Sequence, residues 1–446
     1  MRVPYRLHRW MEFAFPLGLW LVLAGMIFWA QHLKHPLMNF MRPLETPLLL
    51  GVGLIVSALA FRVWQRTVWF PKRVQYGVTL LLSLGLVVVT VSEEVRFQQL
   101  RNKVLAATWD VRAVGSHFVV GFRDWDQLDE LASKGLIGGI YVTGRNVSGL
   151  DAEVVAARIK HLQDLRHSAG LPPLLVAADQ EGGKIEHLSP LLAPMPALST
   201  VAQLAPNQAA QQAYRYGLQQ GQGLLELGIN FNLSPVVDLK PAKPIAFGDT
   251  HTLISQRAIA GDKATVTNVA RAYSIGLEAA GVQPTLKHFP GLGRVRQDTH
   301  HSAAHLNMTA LELENDWAPF RDVSRNTGAA IMLGHVVLDQ LDAKHAVSHS
   351  DRIVQRVIRQ EWAYNGLLIT DDLNMGAVYG KGIGKVAGEA INAGVDLILA
   401  AYDPDQYFRA VAAVAKQLNA GSMDKQRLLA SDKRLQARWQ CYTKLI

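Results

Sequence analysis

Lys287-His288-Phe289-Pro290-Gly291-Leu292-Gly293, followed by Asp298-Thr299-His300, sets a cation, two imidazoles and a carboxylate on what reads as a glycine-rich loop at a strand end. A plain connector needs none of these groups. Further along, Gly366-Leu367-Leu368-Ile369-Thr370-Asp371-Asp372-Leu373-Asn374-Met375-Gly376 reads as an apolar strand discharging two carboxylates at its carboxyl end. Together the two segments offer carboxylates able to act as nucleophiles and imidazoles able to give and take protons.

Positioning such groups requires a scaffold, and the remainder of the chain reads as one. Candidate strands are His117–Gly121, Gly139–Val142, Leu174–Ala178, Ile229–Val237, Pro284–His288, Ala330–Gly334, Leu367–Thr370 and Asp396–Ala400. Their near-continuous apolar character suits strands buried on both faces of a parallel sheet. Helical periodicity at Val154–Gln163 and Gln208–Leu227 falls between them. Eight strands separated by helices predict a (β/α)8 TIM-type barrel, with a doubly wound open sheet as the alternative. Polar groups recur where such strands end: Asp179-Gln180-Glu181, Ser234 to Asp238, Lys287-His288, His335 and Asp371-Asp372. Singly, each could be a helix cap or a buried ion pair. Five recurrences at one rim point to a site.

The amino-terminal part is different. Hydrophobic residues make up 49% of the chain and charged residues 18%, an apolar skew beyond the needs of a soluble enzyme. Phe13–Ala30, Pro47–Phe61 and Tyr76–Ser92 are apolar runs, and Trp10, Trp29, Trp64 and Tyr76 lie near their ends. These features predict a helical transmembrane anchor of three spans over residues 1–93, buried core helices being the alternative. A polar stalk helix follows over 94–113, then the barrel with its carboxyl-terminal helices over 114–446. Arg2, Arg6 and Arg9 precede the first run, and Arg62, Arg66, Lys72 and Arg73 lie between the second and third. Positive charge marks the cytoplasmic side, so three crossings leave the barrel on the extracytoplasmic face of a bacterial inner membrane. Two crossings would reverse this. The net charge of +8 forms no basic run, which argues against a nucleic-acid partner, and the single cysteine, Cys441, excludes a disulfide framework or a thiolate zinc site.

Taken together, the motifs resemble glycoside hydrolase family 3, the single-domain β-N-acetylglucosaminidase type. That family shows DQEGGRVQR, a KHFPGHGDT loop followed by DSH, and an SDDLSMxGA strand end. Here they stand as Asp179 to His187, as Lys287 to Gly293 with Asp298-Thr299-His300, and as Thr370 to Ala377. Weaker matches are Gly144-Arg145-Asn146, Leu253 to Arg257, and Gly334-His335-Val336. The similarity covers about Val114 to Tyr402 and leaves the apolar runs outside.

The resemblance implies a retaining exo-β-N-acetylhexosaminidase that removes terminal N-acetylglucosamine from cell-wall or chitin-derived saccharides. It implies Asp371 as nucleophile, with Asp372 holding the strand–loop junction, and His300 as acid/base oriented by Asp298. Asp179, Arg257, Lys287 and His288 would bind the sugar. No metal or organic cofactor is implied, although Asp298, His300, His301 and His305 could imitate a metal site. The chain departs from the pattern at Leu292, Arg294, Lys184 and His187, which bears on substrate fit, and Arg294 with Arg296 raises the idea of an acidic substrate. Other readings are another β-glycosidase or transglycosylase of the family, and a catalytically silent, envelope-anchored sugar-binding protein.

Overall fold

The structure, a computed structural model, describes residues 5–241, 252–299 and 303–443, with side chains placed over 16–241, 252–299 and 303–439. The chain divides into two compact units, Met1–Lys103 and Val104–Ile446.

In the first unit, long apolar runs flanked by charged residues form helices at Tyr5–Gln31, Arg42–Arg66 and Phe70–Leu105. Leu23, Ala30, Leu49 and Leu86 pack between them, while Leu21, Phe28, Leu54, Leu59 and Leu81 face outward. Polar groups on the inner faces pair with one another: Ser57 Oγ donates to Ser83 Oγ (2.8 Å), and Trp20 Nε1 donates to Thr79 Oγ1 (2.9 Å). Segments Pro36–Arg66 and Phe70–Leu105 are long and apolar enough to cross a bilayer; Pro16–Gln31 is shorter. Residues 94–105, read from sequence as the start of a stalk, prolong the helix that begins at Phe70.

The second unit is a barrel of eight parallel strands: β1 (Phe118–Val120), β2 (Gly139–Val142), β3 (Leu175–Ala178), β4 (Phe231–Asn232), β5 (Gln283–Phe289), β6 (Ala330–Leu333), β7 (Leu368–Thr370) and β8 (Ile398–Ala400). Neighbours in sequence are neighbours in space from β1 to β7, β8 lies against β1, and the Ile369–Leu397 bridge closes the ring. Every crossover carries a helix, such as Ala152–Ser168 between β2 and β3 or Ile383–Ala393 between β7 and β8. That alternation makes each connection able to cover the outer face of its strands. Tight helix packing outside the barrel depends on small residues. A Cβ at Gly217 would lie 2.2 Å from the Tyr273 carbonyl oxygen, so Pro206–Glu226 and Lys263–Ala279 meet backbone to backbone there.

Val119, Leu175, Phe231, Met332, Ile369 and Leu399 fill the interior, joined by Leu435 and Trp439 from the helix Lys425–Thr443. That helix covers the amino-terminal ends of the strands, where Asp396 accepts from Arg359 Nη2 (2.8 Å) and Arg434 Nε (2.7 Å). The opposite rim is therefore the open one.

All eight expected strands form, with two differences. The segment Ile229–Val237 pairs regularly only at Phe231–Asn232, then again at a single Val236–Lys287 bridge, because Pro235 has no N–H to give a ladder. Conversely, Lys287, His288 and Phe289 belong to β5 and are buried, so the expected loop begins only at Pro290. Pairing of Phe289 with Leu333 keeps them in the sheet.

Candidate active site

Each barrel strand that bears chemistry delivers it at the carboxyl end. Asp179 follows β3, Asp238 lies just beyond the Val236 bridge, Lys287 and His288 end β5, and His335 and Asp371 follow β6 and β7. Parallel register turns five separate sequence motifs into one rim.

Much of that rim is one ionic network. Lys287 Nζ contacts both Asp179 Oδ1 and, at 2.6 Å, Glu181 Oε1. Arg257 grips Glu181 with both arms of its guanidinium, Nη2–Oε1 at 2.6 Å and Nε–Oε2 at 3.0 Å. Its Nη2 also lies 3.3 Å from His288 Nε2, while His288 Nδ1 lies 2.8 Å from Asp238 Oδ2. An imidazole donating to the carboxylate through Nδ1 leaves Nε2 to accept from the arginine, so one tautomer satisfies both contacts. Asp238 further accepts from the backbone N–H of His288 and of Leu292 (2.8 Å).

Burial by itself would raise the Asp179 and Glu181 carboxyls. The Lys287 ammonium outweighs burial at Asp179, and Arg257 with Lys287 outweighs it at Glu181, so both are held below the usual carboxylate range. Likewise burial opposes charge on Arg257, and Glu181 reverses the effect and raises it. The network thus keeps the Asp179 and Glu181 carboxylates ionised at neutral pH. Lys287 and Arg257 side chains are only 3% and 9% exposed and Asp179 is 17% exposed, so of these three the carboxylate is the most accessible.

Asp371 and Asp372 divide their work as their surroundings dictate. The Asp371 backbone N–H donates to the Leu333 carbonyl (2.9 Å), fixing the end of β7 against β6, and its Oδ1 accepts from the Asp372 backbone N–H (2.8 Å). The Asp372 carboxylate instead accepts from Asn374 N (3.0 Å) and Nδ2 (2.8 Å), Ala401 N (3.1 Å) and Tyr402 N (2.7 Å). It ties the β7 and β8 loops together. Burial raises its pKa despite those donors. His335 supports the same turn: its Nε2 lies 3.0 Å from the Asp372 carbonyl and its Nδ1 lies 2.8 Å from Ser348 Oγ.

The two motif loops meet. Ala377 N, from the turn after Asp371, donates to the Thr299 carbonyl at 3.2 Å. Thr299 sits between Asp298 and His300 in sequence, so the segment bearing the expected acid/base is fastened to the segment bearing the expected nucleophile.

Residues 96–437 match the model of the glycosyl hydrolase family 3 N terminal domain. The chain belongs to glycosyl hydrolase family 3. It is a glycoside hydrolase. Similar curated proteins include the beta-hexosaminidase of Tolumonas auensis, 33% identical over 267 residues that cover 59% of this chain and 75% of that protein. The beta-hexosaminidase of Xylella fastidiosa is 32% identical over 300 residues, 66% of this chain and 82% of its own. Among solved structures, a glycoside hydrolase family 3 beta-N-acetylglucosaminidase from Paenibacillus sp. superposes with a TM-score of 0.67 at 29% identity, over 75% of this chain and 62% of that one. The chain therefore spans under two thirds of the Paenibacillus protein. The beta-N-acetylhexosaminidase of Beutenbergia cavernae gives 0.67 at 28% identity, over 75% of this chain and 99% of that one.

Within this family 3 barrel, the structure joins Asp179, Arg257, Lys287 and His288 in one network, places Asp371 at the same rim after β7, and sets Asp298 where Thr252 Oγ1 donates to its Oδ1 at 3.3 Å. His300 and His301 lie outside the described residues. His305 is occupied elsewhere, its Nδ1 2.9 Å from Asp339 Oδ1 in the small sheet outside the barrel. Of the departures from the family motifs, Lys184 is exposed, Leu292 is buried, and Arg294 pairs through Nε with Asp316 Oδ2 at 2.9 Å.

Sequence reading did not single out Tyr141 or Thr252, and it placed Glu181 and Asp238 at the rim without giving either a role. Glu181 and Asp238 stood inside strand-end motifs and could have been paired with the two cations by charge balance. Tyr141 carried no signal, since an aromatic in the apolar strand Gly139–Val142 reads as core.

Proposed function

We propose that the chain is a retaining exo-β-N-acetylhexosaminidase, removing a terminal N-acetylglucosamine from cell-wall or chitin-derived saccharides. The observation that carries the reading is the Ala377–Thr299 hydrogen bond, which joins the Asp371 turn to the Asp298–Thr299 segment at one barrel rim. The printed names of the relatives, beta-hexosaminidase and beta-N-acetylglucosaminidase, support the substrate class.

In this reading the Asp371 carboxylate attacks the anomeric carbon. The bond to the glycosidic oxygen breaks as that oxygen takes a proton from the His300 imidazolium, leaving a glycosyl-enzyme ester and a neutral imidazole. The same imidazole then takes a proton from water, whose oxygen attacks the anomeric carbon and releases Asp371. Two inversions give net retention. Asp298 favours the protonated imidazole and fixes its orientation. Asp179, backed by Lys287 and Arg257, accepts from sugar hydroxyls. We further propose that the apolar helices of the first unit anchor the enzyme in a bacterial inner membrane, which the two segments of spanning length support, and that the shorter apolar helix Pro16–Gln31 is the third crossing that leaves the barrel outside.

The test is turnover of an aryl β-N-acetylglucosaminide by the full-length chain in detergent. Wild-type release of the aryl group, lost in Asp371→Ala and strongly reduced in His300→Ala, is the expected result. A folded wild type that releases nothing from any aryl glycoside would leave a sugar-binding protein instead.

A further inference from the structure

One contact at the rim has no counterpart in the motif it belongs to. Tyr141, on β2, reaches up through the barrel interior, and its hydroxyl donates to Asp179 Oδ2 at 2.5 Å. The same hydroxyl oxygen lies 3.2 Å from His187 Nδ1. His187 is held beside Asp179 by its own backbone N–H, which donates to the Asp179 carbonyl at 3.1 Å. It is half-buried, and among the described residues its Nε2 has no protein partner. His187 stands where the family motif DQEGGRVQR ends in arginine.

The proton inventory of these three groups decides what Nε2 is. Asp179 is an acceptor only, because its cationic neighbour Lys287 keeps it ionised. A phenol owns one proton, and the carboxylate takes it. The phenolic oxygen is then left with lone pairs, so the contact to His187 Nδ1 is a hydrogen bond only if Nδ1 carries the hydrogen. In a neutral imidazole that leaves Nε2 bare, with a lone pair directed away from Tyr141. An arginine at this place would offer donors alone.

We propose that Tyr141 locks His187 as a hydrogen-bond acceptor at the sugar subsite, reversing the polarity of an arginine there and selecting an uncharged sugar whose hydroxyl donates to Nε2. The inference rests on the hexosaminidase reading of the site and deepens it by naming the class of sugar accepted. A carboxylate-bearing sugar at that position would set its anion against a lone pair and beside Asp179. Arg294 does not compensate, being engaged with Asp316. Tyr141 is a positioning residue here, and His187 is the group that meets the substrate.

The experiment uses the full-length chain at pH 8 with aryl N-acetylglucosaminides carrying fluorine in place of the hydroxyl at ring position C3, C4 or C6. Fluorine accepts weakly and cannot donate. Wild type is expected to lose about tenfold or more in kcat/KM on one of the three, mostly through KM. His187→Arg, which restores a donor, brings that same penalty below about threefold. Tyr141→Phe frees the tautomer and shrinks it to an intermediate value, which a merely structural role for the phenol would not do. Fluoro penalties that are the same in wild type and His187→Arg overturn the inference while leaving the enzyme reading intact. Should no variant turn over any glycoside, the hexosaminidase reading fails, and calorimetric binding of free N-acetylglucosamine and its deoxyfluoro forms still reads the polarity of Nε2. Equal affinities across that series in wild type would sink the inference on its own.

Discussion

Lys287→Met removes an ammonium that touches two buried carboxylates and puts a side chain of similar length in its place, so the cost is electrostatic rather than a cavity. Arg257 still serves Glu181, and Tyr141 still donates to Asp179, but Asp179 is left without its principal cation. Breaking a buried ion pair on one side costs about 3–5 kcal/mol. The unit Val104–Ile446 contains 343 residues, and at about 2.1 cal/mol/K per residue its unfolding entropy is about 0.7 kcal/mol/K, so the melting temperature should fall by about 4–7 °C. The sign of the pH dependence follows from the direction of each shift. In wild type, Asp179 and Glu181 titrate below their ordinary values, so their stabilisation is complete above the ordinary carboxylate range and fades as pH drops through the depressed folded values. In the variant, burial without a cation raises Asp179, so its charged form destabilises the fold at high pH and is relieved as pH falls. The wild-type-to-variant gap is therefore widest at pH 8 and narrows towards pH 5. Melting of the full-length chains in detergent at both pH values measures it. A gap under about 1 °C at pH 8, or one of equal size at both pH values, refutes the reasoning.

Asp372→Asn retains one acceptor oxygen but turns an amide NH2 toward the N–H donors of Asn374, Ala401 and Tyr402; we expect a loss of about 2–4 kcal/mol, seen as a lower melting temperature, together with reduced turnover although Asp371 is untouched. Burial, reinforced by His335 and Lys381, brings the His349 pKa down to about 3. Its unfolded form takes up a proton near 6.5, so stability from this group is complete above that value and falls by about 3 kcal/mol by pH 4.5. His349→Gln should flatten that acid limb in urea titrations, and an unchanged limb would discount the buried imidazole. Alkaline phosphatase fused after Val95 should be active if the barrel lies outside the inner membrane and inactive if it faces the cytoplasm.

The barrel was legible because its strands are short apolar runs bounded by polar, chemically loaded ends, and that pattern survives without tertiary information. Lys287 and His288 fall at the end of the expected strand, and only the start of the loop was drawn too early by the glycines and proline that follow: β5 runs on through Phe289 and the loop begins at Pro290. Residues 94–105 read as part of a polar stalk helix, and in the structure they are helical as the continuation, to Leu105, of the helix that begins at Phe70.

By itself the sequence determined the alternation of strand and helix, the apolar helices ahead of it, and which motifs carry carboxylates and imidazoles, since these are local properties of residue type and spacing. Only the tertiary structure decided who pairs with whom. Asp179 and Lys287 are separated by 108 positions and Glu181 and Arg257 by 76, and ring closure brings both pairs into contact. The partition of the Asp371–Asp372 pair, and the phenol that commits its proton to Asp179, likewise follow from the number of donors surrounding each oxygen. That number is a property of the folded neighbourhood, which a one-dimensional chain does not carry.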